Sequence, residues 1–362
     1  MYPLIRPLLF KLKPETAHHL TLQLIRLAGH IPYSRWLLEA LFMPPEKPVQ
    51  AFGLTFKNPV GLAAGYDKDG IAVRGLTTLG FGHLEIGTVT PRPQPGNPKP
   101  RVFRLVEDEA VINRMGFPNR GSEYMQGQLN PELTKGAMEW LINIPTRRKR
   151  FALPPRETIL GVNLGKNKDT PNEEAVFDYL SLLQSFAPLA DYLAINVSSP
   201  NTAGLRNLQG RAALEALLGH LNAQRRLEQD SLKKRVPLLV KLAPDLSPAE
   251  LDEALEAILA TGMDGVIVTN TTLGRAGLRS SHQGETGGLS GKPLTGLADA
   301  VLSQTVKKVE GKIPVIGVGG IMSPEDAQRK LDLGATLVQV YTGLIYAGPG
   351  LVKEIVKKLL GR

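Results

Sequence analysis

IPVIGVGG runs from Ile313 to Gly320, and ATLVQVYT from Ala335 to Thr342. Each is a short, mostly apolar, β-branched run that stops in a glycine or polar turn. Strands buried on both faces have that composition. Six more such runs precede them: NPVGLAA near 60, HLEIGT near 85, TILGVNLG near 161, DYLAINV near 194, VPLLVKLA near 239 and DGVIVTN near 267. Helical patterns lie between. In SPAELDEALEAILAT, Ser247 fits an N-cap, Pro248 the first helical turn and Gly262 the C-cap. Eight strands alternating with helices over residues 48–362 predict an α/β fold, a (β/α)8 TIM barrel whose chemistry gathers in the loops after the strands. An open doubly wound sheet is the alternative, but no G-x-G-x-x-G marks a nucleotide crevice. GVNLGKN is not a P-loop, since its glycines are too close and no Ser or Thr follows the lysine.

The strand ends carry chemistry that packing does not require. Lys68 follows the first, Thr88 ends the second, Asn163 lies on the third, and Asn196 with Ser199 on the fourth. Lys241 is on the fifth, and Thr269, Asn270 and Thr271 end the sixth. Amides, hydroxyls and lysines at six successive strand ends imply a polar ligand in the barrel mouth. The seventh and eighth ends, GVGGI (317–321) and YTGLIY (341–346), are glycine-containing turns where barrels often bind phosphate through backbone N–H groups. Ser290–Gly291 adds another close backbone approach. Phosphate there, with lysines and amides around the mouth, suits a phosphorylated cofactor such as FMN, which a lysine would tune electrically.

Composition narrows the classes. The 362 residues include no cysteine, which excludes disulfides, a thiolate nucleophile, cysteine-bound zinc and iron–sulfur clusters. The six histidines lack the spacing of a metal site, so no metal is expected. A net charge of +9 suits acidic substrates, nucleic acid or an anionic membrane surface. No aromatic-rich basic stripe supports nucleic-acid stacking, so no nucleic acid is expected. The densest cluster, RRKRF (147–151), reads as a solvated loop or a lipid contact. No uncharged apolar run approaches membrane-spanning length, and the start lacks the long apolar region of a signal peptide.

Long motifs are similar to those of the quinone-dependent, membrane-associated class of dihydroorotate dehydrogenases: GLTFKNPVGLAAGYDKDG, EIGTVTPRPQPGNPKPRVFRL, INRMGFPN, NVSSPNTAGLR, GGLSGKPL and VQVYTG among them. The resemblance implies oxidation of (S)-dihydroorotate to orotate in pyrimidine synthesis, with FMN as hydride acceptor and a membrane quinone as co-substrate. It implies Ser199 as the base at C5; the soluble classes use a cysteine, which this chain lacks. Serine is a weak base, so a relay through water or a threonine is expected, and which threonine is open. The same resemblance places orotate among Lys68, Asn113, Asn196, Asn201, Asn270, Thr271 and the stretch Arg114, Met115, Gly116 and Phe117. For FMN it implies Ala64, Gly65, Tyr66, Asp67, Lys68, Thr88, Asn163, Asn196, Lys241, Thr269, Gly291, Gly320, Tyr341 and Thr342. Quinone contact is implied for His18, Arg104 and Tyr341. The chain departs from the pattern at Tyr66, where leucine or phenylalanine is usual, and over about 130–158, which is longer and more basic.

Residues 1–47 read as leucine-rich helices ending in the linker MPPEKP (43–48), so the expected organisation is an amino-terminal quinone-access segment at 1–47 and a catalytic barrel at 48–362. On a helical wheel Ala17, Leu20, Leu22, Leu24, Ile25, Leu27 and Ala28 span an arc of roughly 220°, with His18 inside it. One core needs an arc of only about 100° or somewhat more, so a second apolar environment is expected. The segment is mildly basic, which suits seating on an anionic membrane surface rather than insertion. The expected state is a monomeric peripheral membrane protein, on the cytoplasmic face of the cell membrane if the source is bacterial. Two rival readings are a tRNA dihydrouridine synthase, whose proton donor is a cysteine, and a membrane-associated barrel without turnover. A third, a non-flavin phosphosugar barrel, predicts a colourless protein.

Overall fold

The computed structural model describes residues 2–130 and 158–361. RRKRF, and the long basic stretch around it, lie outside the described residues. Three helices open the chain: α1 (Tyr2–Lys11), α2 (Pro14–His30) and α3 (Pro32–Phe42). Thirteen strands follow among the described residues: β1 (Val49–Ala51), β2 (Leu54–Phe56), β3 (Val60–Leu62), β4 (His83–Val89), β5 (Val102–Leu105), β6 (Ala110–Asn113) and β7 (Ile159–Leu164). Then come β8 (Tyr192–Asn196), β9 (Leu238–Leu242), β10 (Gly265–Val268), β11 (Gly288–Gly291), β12 (Val315–Val318) and β13 (Leu337–Val340).

Eight of these close a barrel in the order β10-β12-β13-β3-β4-β7-β8-β9, every pairing parallel. They are the eight runs picked out by their apolar composition, and nearly every residue in them is buried. Helices cover the outside. Pro248–Ala260 begins with a capping box in which Ser247 and Glu250 satisfy each other's backbone N–H groups, and Gly262 follows its end at φ +69°. Ser247 and Pro248 stand as the sequence predicts, whereas the C-cap is Thr261, with Gly262 one residue beyond it.

Two small sheets fix the ends. The β1–β2 hairpin plugs the bottom: Phe52 and Phe56 pack into a lumen layer with Tyr192, Ala194, Leu239, Ile267, Ile316 and Leu337. Above the mouth, β5, β6 and β11 form an antiparallel sheet that brings Asn113 opposite Gly288 and Ala110 opposite Gly291. The amino-terminal helices lie on the flank of the mouth. Glu15 of α2 accepts hydrogen bonds from Arg101 Nε and Nη2, the latter at 2.8 Å, while Arg101 Nη1 donates to the Pro95 and Asn97 carbonyls. Gly29 lies so close to Gly75 that a Cβ there would meet the Gly75 nitrogen at 2.4 Å. The α2 helix therefore buries Ala17, Leu22 and Gly29, while Leu20, Leu24 and Leu27 on the same wide arc stay exposed.

Candidate active site

The strand ends open into one elongated cavity of about 610 Å³ that runs from between α1, α2 and α3 to the centre of the barrel mouth. At the inner end stand Lys68, Asn113, Asn196, Ser199, Asn201, Asn270 and Thr271, with Met115, Gly116 and Phe117 beside them. The amides hold one another: Asn201 Nδ2 donates to Asn113 Oδ1 at 3.3 Å, and Asn270 Nδ2 to Ser198 Oγ at 3.0 Å. Ser199 is buried, and its Oγ accepts the backbone N–H of Asn201 at 3.2 Å. Burial brings the Lys68 ammonium down to about 8, with partial compensation from Asp69 and Glu15. The buried Asn196, three half-buried amides and one cation around a serine hydroxyl suit a small, planar, anionic substrate.

The NVSSPNTAGLR loop (196–206) is held in place by its last residue. Arg206 donates from Nε to the Ser198 carbonyl at 3.1 Å and from Nη2 to the Thr271 carbonyl at 2.9 Å, and its Nη1 pairs with Asp245 at 2.7 Å. Asn196, Ser199 and Asn201 of the loop line the cavity, while its end is locked to the next two strand ends. Thr202, three residues after Ser199, is buried with its Oγ1 lacking a hydrogen-bond partner among the described residues.

Below the mouth the lumen turns polar. Glu85 on β4 is fully buried; its Oε1 accepts Lys241 Nζ at 3.1 Å and Asn163 Nδ2 at 2.8 Å. Its Oε2 accepts Gln339 Nε2 at 2.8 Å and the Tyr192 hydroxyl at 3.3 Å. Burial alone would raise this carboxyl, but the Lys241 charge and the donated hydrogen bonds outweigh it and hold it below the usual range. One step higher, the Thr88 hydroxyl donates to Asn163 Oδ1 at 2.6 Å, and Asn196 Nδ2 donates to both Thr88 and Asn163 at 3.0 Å.

The side of the cavity beneath β11, β12 and β13 is glycine-walled: Gly291, Gly319, Gly320 and Gly343 line it with Ser290 and Thr342. At Gly320, φ is +73° and a Cβ would stand 2.4 Å from Thr295 Cα, so only glycine fits. The Thr342 hydroxyl donates to Ser290 Oγ at 2.8 Å. A cradle of bare backbone with two hydroxyls, joined to an apolar slot that carries Lys241, fits FMN, with the glycines and hydroxyls at its phosphate.

Toward the helices the cavity becomes apolar, lined by Ile5, Leu9, Leu24, Ile25, Leu38 and Phe42, with His18 and Arg104 among them. Arg104 lies 4.1 Å over the Phe10 ring and donates to the Phe10 carbonyl at 3.1 Å. Burial, then the Lys68 and His19 charges, hold the His18 ring well below its ordinary value, so it is neutral at pH 7. Tyr66 stands edge-on to His18 at 5.1 Å and to Tyr341 at 6.1 Å, with its hydroxyl 3.5 Å from Thr21 Oγ1. The residue at which the chain departs from the family pattern thus adds a hydroxyl on the helix side of the slot.

Of the site residues expected from sequence, Asp67, Arg114 and Asn163 do not line the cavity; the others do. Asp67 accepts the backbone N–H groups of Ile71 and Ala72 and shapes the turn that carries Lys68. The Arg114 side chain turns away to pair with Glu285 at 2.6 Å and to cover Phe103. Asn163 lies just beneath, bridging Thr88 to Glu85. Sequence reasoning missed Glu85, Gln339 and Arg206, whereas Ser290, named there only for its backbone beside Gly291, also brings a hydroxyl to the cavity wall. For the first two a signal existed: a charge and an amide inside runs that must be buried on both faces.

A family model described as Dihydroorotate dehydrogenase matches residues 48–362. Dihydroorotate dehydrogenase (quinone) of Idiomarina loihiensis is 47% identical over 359 residues, which is 99% of this chain and 100% of that one. The protein of the same name from Halorhodospira halophila is 48% identical over 361 residues, 99% of this chain and 97% of its own. Among solved structures, DHODH from Eimeria tenella in complex with ferulenol superposes with a TM-score of 0.82 at 39% identity, covering 96% of this chain and 91% of that one.

Proposed function

The chain belongs to the dihydroorotate dehydrogenase family, and from that membership we propose that it oxidises (S)-dihydroorotate to orotate, a step of pyrimidine synthesis, and passes the electrons to a quinone. One continuous cavity supports this function by joining an amide- and lysine-lined pocket around Ser199 to an apolar slot between the amino-terminal helices. Lys68 pairs with the substrate carboxylate, while Asn113, Asn201 and Asn270 hold the ring amides and carbonyls. Ser199 takes the C5 proton and hands its own hydroxyl proton on. The Asn201 N–H at Ser199 Oγ favours the charge that builds there during transfer. Thr202 is the hydroxyl we assign to the relay, because its Oγ1 is buried and unpartnered. FMN, held at Gly291, Gly320 and Thr342 with Lys241 at its ring, supplies when bound the hydride acceptor and the passage of two electrons to quinone.

The slot side takes the quinone. His18, Arg104 and Tyr341 stand where its head would end, and the apolar wall suits an isoprenoid tail. Leu4, Leu8 and Trp36 on α1 and α3 are more than half exposed. Among the described residues no helix is long and apolar enough to cross a membrane. These helices therefore seat on the surface of an anionic bilayer, which makes the protein a peripheral one.

Substituting Ser199→Ala tests the chemistry. Bleaching of the flavin absorbance by dihydroorotate under anaerobic stopped flow should slow by about 10²–10⁴-fold, the usual weight of a general base. Orotate affinity should change little, because the hydroxyl acts in the transition state. Wild-type bleaching in this variant would remove Ser199 from its role.

A further inference from the structure

The lumen of a (β/α)8 barrel is ordinarily filled by branched apolar side chains. Its lower layer here is of that kind, with Phe52 and Phe56 inserted from below. The layer above holds a lysine and a glutamate instead, 6% and 0% exposed, at 3.1 Å. Replacing such a pair with apolar residues of similar volume is often neutral or stabilising, so the pair is poorly explained as a stability device. Side chains from five strands converge on it: β4 supplies Glu85, β7 Asn163, β8 Tyr192, β9 Lys241 and β13 Gln339. Both carboxylate oxygens are filled by these donors. The His83 ring nearby is brought down to about 4, chiefly by burial, and is neutral at pH 7. The layer therefore carries one cation and one anion, and of the two it is Lys241 that reaches the cavity wall.

We propose that Glu85 is a positioning residue for Lys241: it fixes the ammonium at the wall of the FMN slot, and its own charge limits how far the lysine's field favours the reduced cofactor. The inference rests on FMN occupying that slot. An unpaired buried lysine there would stabilise the negative charge that reduction places on the ring, and would hold the electrons back from the quinone. A carboxylate at hydrogen-bond distance behind it offsets part of that field, since both charges lie in the same low-dielectric interior. The surrounding amides and the Tyr192 hydroxyl keep the carboxylate ionised and aimed, so the pair acts as a fixed dipole pointing its positive end at the cavity.

The test is the reduction potential of FMN in the purified holoprotein, by dye equilibration without substrate or quinone. Glu85→Gln should favour the reduced form by at least tenfold, about +30 mV for a two-electron couple. Lys241→Gln should shift it in the opposite direction. Glu85→Gln combined with Lys241→Gln should give a potential between that of Lys241→Gln and the wild type. Opposed shifts that partly cancel are the signature of a charge pair, and packing damage would not produce them. Should Glu85→Gln fail to fold or load FMN, the double variant decides, because removing the stranded lysine should restore loading. A Glu85→Gln potential equal to wild type, or a double variant as low as Lys241→Gln alone, would overturn the proposal. Wild-type protein without FMN would instead overturn the reading on which it rests.

Discussion

The place of Lys68 after the first barrel strand is plain in AAGYDKDG, but its acidity depends on what buries it. With the ammonium near 8 in the ligand-free protein, the cation is about nine-tenths formed at pH 7 and largely lost by pH 9. An anionic ligand binds the protonated form, so orotate affinity should be level below pH 7 and fall toward tenfold per pH unit above 8. Binding near pH 8 should draw in a proton, visible as a buffer-dependent heat in titration calorimetry. Lys68→Met should weaken binding and flatten the profile; affinity that stays constant from pH 7 to 9.5 in the wild type would contradict the assignment. Ser199, the amides and Lys241 were legible in the same way, as polar residues at strand ends. Glu85 was not, because nothing in HLEIGT says that its carboxylate meets a lysine 156 residues later. Nor could sequence tell that Tyr66 turns its hydroxyl toward Thr21.

Among the elements, the eight barrel strands were readable because burial on both faces demands an unbroken apolar run, and such runs stand out. The hairpin at Val49–Phe56 and the sheet formed by Val102–Leu105, Ala110–Asn113 and Gly288–Gly291 were not, because three or four residues of mixed polarity leave little pattern. Those short strands matter, since they bring Asn113 and Gly291 over the mouth. The sequence predicts a phosphate cradle at the glycine turns, and the backbone at Gly320 tolerates no side chain. Gly320→Ala forces a side chain into a left-handed conformation and against the Thr295 backbone. The variant should keep its helical circular dichroism yet purify with less than a tenth of the wild-type flavin content, or lose it on gel filtration. Full retention of flavin would show that the cradle lies elsewhere.

At the scale of the molecule, the two apolar sides of the amino-terminal helices divide the labour. One side is pinned to the barrel by Glu15–Arg101 and the Gly29–Gly75 contact; the other faces outward. A chain lacking these helices must keep Val49, which pairs with Phe56 in the hairpin that plugs the barrel, so the cut belongs in the linker at about residue 45. That truncation should load FMN and be reduced by dihydroorotate, but lose binding to anionic vesicles and most turnover with long-tailed quinones. Equal quinone turnover in vesicles by the truncated and full-length chains would make the helices a mere cap. The extent of the wide apolar arc was visible in the sequence, whereas the pins that decide which side is covered were not, because they join residues far apart in the chain. One titration tests the whole reaction. Dihydroorotate is added anaerobically to the purified full-length protein while the visible spectrum is recorded, followed by a quinone. The protein should be yellow, with flavin absorbance that bleaches at one equivalent per chain as one orotate forms and that returns on adding quinone. A colourless protein, or a flavin spectrum that dihydroorotate leaves unchanged, would contradict this reaction.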